Sequence, residues 1–148
     1  MSTLGLSGSA LSMAQASSDG GAVFISRCAV CHGPQAGGIP GTFPPLRAQV
    51  VAFAKIPQGR EYLMTVVMKG LMGELKVGGT AYNGVMPAQS ALSDSEVAAV
   101  VNFLGSDLGR SDYATPALKG TDVAAIRARI GDQSAKVTRE SRPTLTDQ

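Results

Sequence analysis

The two cysteines and the single histidine of this 148-residue chain fall within five consecutive positions, Cys28-Ala29-Val30-Cys31-His32. A chain that gathers its whole stock of thiol and imidazole in one place is built around whatever is anchored there. Three Tyr, four Phe and no Trp are a thin supply of large flat side chains for a core. Yet 44% of the residues are hydrophobic and 16% charged, which excludes wholesale disorder and predicts one domain. Something other than protein aromatics is expected to fill its centre. The net charge of +2 lacks the dense basic face that a phosphate-tracking protein needs, so nucleic acid is not an expected partner.

Cys-x-x-Cys-His is the spacing at which two thiols add to the two vinyl groups of one haem while the adjacent imidazole swings under the ring as proximal iron ligand. The expected cofactor is therefore one covalently attached haem c, held by Cys28 and Cys31, with His32 on the iron. A thioredoxin-type dithiol belongs beside a βαβ pattern, and helices separated by irregular loops are read here instead. Structural zinc wants four ligands where this cluster offers three. A Cys28–Cys31 disulfide gives His32 no reason to follow at once.

Residues 1–16 carry no charge and end in Ala14-Gln15-Ala16, which reads as the apolar end and cleavage site of a truncated signal peptide. No window approaches the ~20 consecutive apolar residues of a bilayer crossing, so no transmembrane segment is expected in the mature chain. Ser18 or Asp19 is predicted to cap a helix through Val23 and Phe24 toward Cys28. Gly33 to Pro45 is then too rich in Gly and Pro for regular structure. Leu46–Phe53 reads as a brief helix and Gln58–Lys69 as a better one. At most a small hairpin is expected between Leu71 and Val85. Ser93-Asp94-Ser95-Glu96 is a capping box before Val97, Val100, Val101 and Leu104 at helical spacing. Thr121-Asp122 starts a last amphipathic helix that Gly131 stops. The predicted organisation is a core domain over residues 17–105, an extension with a short helix over 106–131, and a polar tail over 132–148, mobile or wrapping something.

Iron held by His32 needs a sixth ligand, and no second imidazole exists in the chain. Methionine thioether is the next choice, a soft neutral sulfur that favours reduced iron. Met1 and Met13 lie in the leader. Met64 and Met68 stand four apart on a predicted helix, where core packing is expected. Met72 follows a helix stop and stays a contender. Met86, in Tyr82-Asn83-Gly84-Val85-Met86-Pro87, lies in a Gly- and Pro-bounded segment read as a loop, and is the expected ligand.

With these residues in place the chain resembles the class I c-type cytochromes over roughly Gly20 to Leu104. The resemblance implies an all-α, cytochrome c-like fold of about four short helices with long ordered loops around a covalent haem, here with an extra C-terminal helix. It implies that Gly20, Phe24 and Cys28 lie on a first helix crossed closely by the last core helix, which offers Phe103. Phe43-Pro44-Pro45-Leu46 is similar to the segment whose proline carbonyl accepts a hydrogen bond from the proximal imidazole, a role carried to Pro44. The run Val66 to Glu74 leading to Tyr82 to Pro87 resembles cytochromes of bacterial periplasmic dehydrogenases, including haem domains of quinoprotein alcohol dehydrogenases. Tyr82 and Asn83 either bond near a propionate or the axial sulfur, or face solvent in a turn.

A haem ligated by His32 and Met86 has no open iron position, and no nucleophile or carboxylate pair stands ready elsewhere, so direct catalysis is not expected. The expected function is periplasmic one-electron transfer, accepting from a dehydrogenase and passing toward a respiratory oxidase or another cytochrome. The alternative is a haem protein with an open sixth site, acting as a gas sensor or peroxidase-like enzyme. Six basic residues against two acidic ones between positions 20 and 90 would steer acidic partners to the haem edge or merely solubilise it. About forty residues beyond Gly105 lean toward a stable subunit of a hetero-oligomeric complex.

Overall fold

The computed structural model describes residues 18–111 and 116–145. The expected leader, with Met1 and Met13, lies outside them. Helices dominate: α1 (Gly20–Arg27), α2 (Ala29–His32), α3 (Ala48–Ala54), α4 (Pro57–Lys69), α5 (Asp94–Gly105), α6 (Gly120–Ile130) and α7 (Ala135–Glu140). One antiparallel hairpin, β1 (Leu71–Val77) with β2 (Thr80–Met86), stands between α4 and α5.

Local chemistry sets these bounds. The Asp19 carboxylate accepts from the Gly21 and Ala22 amides at 2.9 and 3.2 Å and starts α1. Ser93 and Glu96 close the expected capping box of α5, with Ser93 N–H donating to Glu96 Oε2 at 2.8 Å. Pro57 opens α4 at a position where its missing N–H costs nothing.

The core is a helical sandwich in which α1 crosses α5, α3 and α4 pack together and against α5, and α6 covers α4 and α5. Phe24, Val97, Val100, Val101 and Val123 are fully buried in it. Gly20 permits the α1–α5 crossing, because a Cβ there would lie 2.1 Å from the Ala99 carbonyl oxygen. Beside that point the Phe24 and Phe103 rings pack with centroids 5.8 Å apart.

Three elements differ from the sequence reading. The hairpin is fuller than expected, seven residues a strand, and Asn83-Gly84 lies inside β2. Its turn is Gly78-Gly79, both at positive φ (56° and 80°), the two-residue geometry whose twist matches paired strands. The one-turn helix α2 is simply the attachment motif itself. The tail is not featureless: Ser134 caps α7, and α7 docks on β1 and α4 with Thr138 fully buried. Six mostly polar residues have no periodicity to read, and it is this docking that makes them helical.

Candidate functional site

Helix α1 runs directly into the motif, so its packing against α5 fixes where Cys28 stands. Both cysteines are partly buried free thiols. Burial pushes the Cys28 thiol above its ordinary range, and the neighbouring Cys31 adds to the shift. His32, at the end of α2, is buried to 7% exposure. Its Nδ1 lies 2.8 Å from the Pro44 carbonyl oxygen. A carbonyl only accepts, so Nδ1 carries the ring proton and Nε2 presents a bare lone pair. Burial lowers the imidazole pKa, partly offset by the bond to Pro44. Among the described residues no hydrogen bond reaches Nε2.

His32 and Cys31 open onto a cavity of about 380 Å³, within the size range of small-molecule and cofactor sites. Its walls are largely apolar. Phe43, Pro44 and Leu46 come from the loop after the motif, Phe53 and Val50 from α3, Tyr62 and Leu63 from α4. The hairpin closes another side. Strand alternation turns Leu71, Leu75 and Val77 toward the cavity, while Glu74 and Lys76 stay exposed. The register pairs Leu71 with Met86, Gly73 with Gly84 and Leu75 with Tyr82, so Met86 and Tyr82 share the inner face.

This parity separates the methionines. Met86 is half-buried and lines the cavity together with His32. Met72, of the opposite parity to Leu71 and Leu75, is 47% exposed and does not line it, although its partner Val85 borders the cavity. Met64 and Met68 are buried in the helical core. Met86 ends a strand rather than sitting in a loop, because Tyr82 to Met86 alternates between the two faces opposite β1. Tyr82 is buried in the cavity wall and is not a turn residue facing solvent, whereas Asn83, in the same strand, is exposed while still bordering the cavity.

Sequence reasoning missed the far wall. Tyr62 lines the cavity at 6% exposure, with burial raising its pKa against the opposing charges of Arg142 and Arg139. Arg142, from the polar tail, also lines it, its guanidinium 5.4 Å from the centre of the Phe53 ring. The aromatic at Phe53 and the recurrence of arginine at 139 and 142 were the available signals, and neither points to a cavity without the fold.

The donor set suits a porphyrin iron. A buried neutral imidazole with a free nitrogen, a thioether on the same cavity, two adjacent thiols and an otherwise greasy enclosure match what a covalent haem needs. No helix of the described residues is long and apolar enough to cross a membrane.

Comparison with known proteins points the same way. Residues 17–107, more than half of the chain, match the family model described as cytochrome c. One cytochrome c-552 of Thermus thermophilus is 43% identical over 99 residues, 67% of this chain and 65% of that protein. A second Thermus thermophilus cytochrome c-552 is 44% identical over 89 residues, 60% of this chain and 68% of the relative. The chain thus spans about two thirds of the length of these relatives. The cytochrome c subunit of the quinone alcohol dehydrogenase of Gluconacetobacter polyoxogenes is 32% identical over 125 residues, 83% of this chain but 24% of that subunit. The matched segment contains the Cys-x-x-Cys-His motif, both candidate axial residues and every cavity-lining residue except Arg142, and the chain belongs to the cytochrome c family, whose members carry covalently bound haem c.

Proposed function

We propose that this chain is a one-electron carrier holding a single haem c, with His32 Nε2 and the Met86 thioether as the two axial ligands. The observation that carries the reading is the convergence, on one apolar cavity, of a buried imidazole with a bare nitrogen and the inner-face methionine of the hairpin. Cys28 and Cys31 anchor the group: each thiol adds across a vinyl double bond, sulfur to one carbon and its hydrogen to the other, with no oxidant consumed. Bound haem supplies the one-electron chemistry at iron.

The chain's own residues do the rest. The Pro44 carbonyl fixes the His32 ring and its tautomer and raises the basicity of Nε2. Leu63, Leu71, Leu75 and Val77 exclude water. Two protein ligands leave no position for a substrate, so the role is transfer and not catalysis. Both ligands stay neutral in either redox state, and a rigid shell keeps reorganisation on electron transfer small.

The likeness to a dehydrogenase's cytochrome subunit supports a dehydrogenase as donor, with a respiratory oxidase or another cytochrome as acceptor. We place the exchange in the periplasm of an exported protein, within a stable hetero-oligomer. The domain division proposed is residues 1–16 as leader, 17–105 as haem domain and the remainder as an extension that docks on it. Intact mass of the matured chain tests the first step, since one covalent haem adds its mass to the polypeptide. Exposure of the reduced protein to carbon monoxide tests the second. Slow or absent uptake is expected, and rapid uptake refutes methionine ligation.

A further inference from the structure

The hairpin that carries Met86 has few attachments of its own. Among the described residues, the element β1 packs against most, apart from its partner strand, is α7 of the C-terminal tail. Its edge explains why. The two-residue turn makes Val77 and Thr80 the first hydrogen-bonded pair, with Leu75–Tyr82 and Gly73–Gly84 following. Glu74 and Lys76 fall at the alternate positions and turn their backbone groups to the open side of the strand. The tail caps both: Arg139 Nε donates to the Glu74 carbonyl at 2.6 Å and Arg142 Nη1 to the Lys76 carbonyl at 3.0 Å. Arg142 also donates to Gln49 of α3 and covers Phe53, so one guanidinium ties the strand edge to the opposite wall of the cavity.

The tail is itself secured to the core. Asn102 and Leu118 exchange two amide hydrogen bonds of 2.9 Å, Arg127 pairs with Asp94 at 2.8 Å and Arg129 with Glu61 at 2.7 Å. Lys69 of α4 donates to the Gly131 carbonyl, and Gln133 bonds the buried Thr138 hydroxyl at 3.1 Å. The hairpin is therefore held at two places, by the C-terminal segment along the β1 edge and by the end of α4, where the Val67 carbonyl accepts from the Gln89 amide just past Met86.

We propose that Arg139 and Arg142 are positioning residues for the sixth ligand: docking of α7 on the β1 edge holds Met86 over the cavity and suppresses its replacement by external nitrogen ligands. The proposal rests on the assignment of Met86 as axial ligand. Loss of that docking would free the β1 edge and let the hairpin move off the cavity.

The test is imidazole titration of the oxidised, haem-loaded full chain, following the sulfur-to-iron charge-transfer band. The double variant Arg139→Gln/Arg142→Gln is expected to bind imidazole about tenfold more tightly than wild type while keeping covalent haem. Arg47→Gln/Arg110→Gln removes both ion pairs to Asp107 just past α5, contacts outside α6, α7 and the hairpin, and is expected to leave imidazole affinity within about twofold of wild type. Arg142→Lys keeps a donor for the Lys76 carbonyl and is expected to restore part of the resistance. A first double variant that matches wild type, or a second that weakens the site as much as the first, overturns the proposal and leaves the Met86 assignment standing. Absence of the band from wild type overturns the assignment and the proposal together.

Discussion

Replacing Gly20 with Ala is expected to destabilise the haem-loaded protein, although alanine is the better helix former. The new Cβ would lie 2.1 Å from the Ala99 carbonyl oxygen, 2.7 Å from its carbon and 2.8 Å from Phe103 Cβ. Two of these neighbours are helix backbone and cannot rotate away, so α1 and α5 must separate by about 1 Å, enough to forfeit a quarter to a half of each contact across the seam. The seam includes the Phe24–Phe103 ring pair. Overpacking of this kind costs about 1–3 kcal/mol, and the gain in helix propensity returns at most ~1 kcal/mol. A net loss of about 1–2 kcal/mol lowers the urea midpoint by roughly 0.5–1 M at a typical slope. Gly21→Ala supplies the internal control. Its Cβ meets nothing closer than Asp19 Oδ1 at 3.3 Å and Phe103 Cε2 at 3.4 Å, both side-chain atoms, so its midpoint should stay within about 0.3 M of wild type. Because α1 leads into Cys28, Gly20→Ala should also lower the fraction of chain carrying haem. Equal midpoints for the two variants would refute the close-crossing argument.

Met86→Ala should retain covalent haem by intact mass, lose the sulfur-to-iron charge-transfer absorbance and lower the reduction potential; unchanged absorbance would remove Met86 from the iron. Cys31→Ser should leave one thioether and a fraction of chain that releases haem under denaturing acid, read by absorbance of the extracted pigment. Ser93→Ala removes the cap of α5 and should cost about 1 kcal/mol in chemical denaturation. Hydrogen bonds from the Ser93 backbone and side chain hold the Glu96 carboxyl below its usual range. Its contribution to stability is therefore complete above the unfolded carboxyl pKa of about 4.3 and is lost as pH falls through the lower folded value. Glu96→Gln should flatten that acid limb of the stability curve while wild type keeps it.

What the sequence disclosed was chemistry that acts over short range. The Cys-x-x-Cys-His motif is legible because thiol, thiol and imidazole fall within five residues, and α5 because its capping box and apolar spacing lie within one segment. The bond from His32 to Pro44 spans twelve residues of irregular loop and was reached only through resemblance. Tyr62 and Arg142 were invisible as cavity residues, since each is an ordinary helix or tail side chain until α4 and the tail come together.

The reading of Met86 as a loop residue misjudged the source of its orientation. A loop would have to specify that side chain residue by residue, whereas a strand specifies it by parity. Inward Leu71, Leu75 and Val77 force Tyr82, Gly84 and Met86 inward as well, and leave Met72 exposed on the outer face, off the cavity. A slip of one residue in the β1–β2 pairing would turn β2 over relative to β1, so that with Leu71, Leu75 and Val77 still inward Met86 would face solvent. The Gly78-Gly79 turn fixes the register from one end, and α7, through the Glu74 and Lys76 carbonyls, grips the free edge. Which side chains of β2 face the cavity is therefore a property of hairpin register, and the residues that hold that register lie in a turn and a tail.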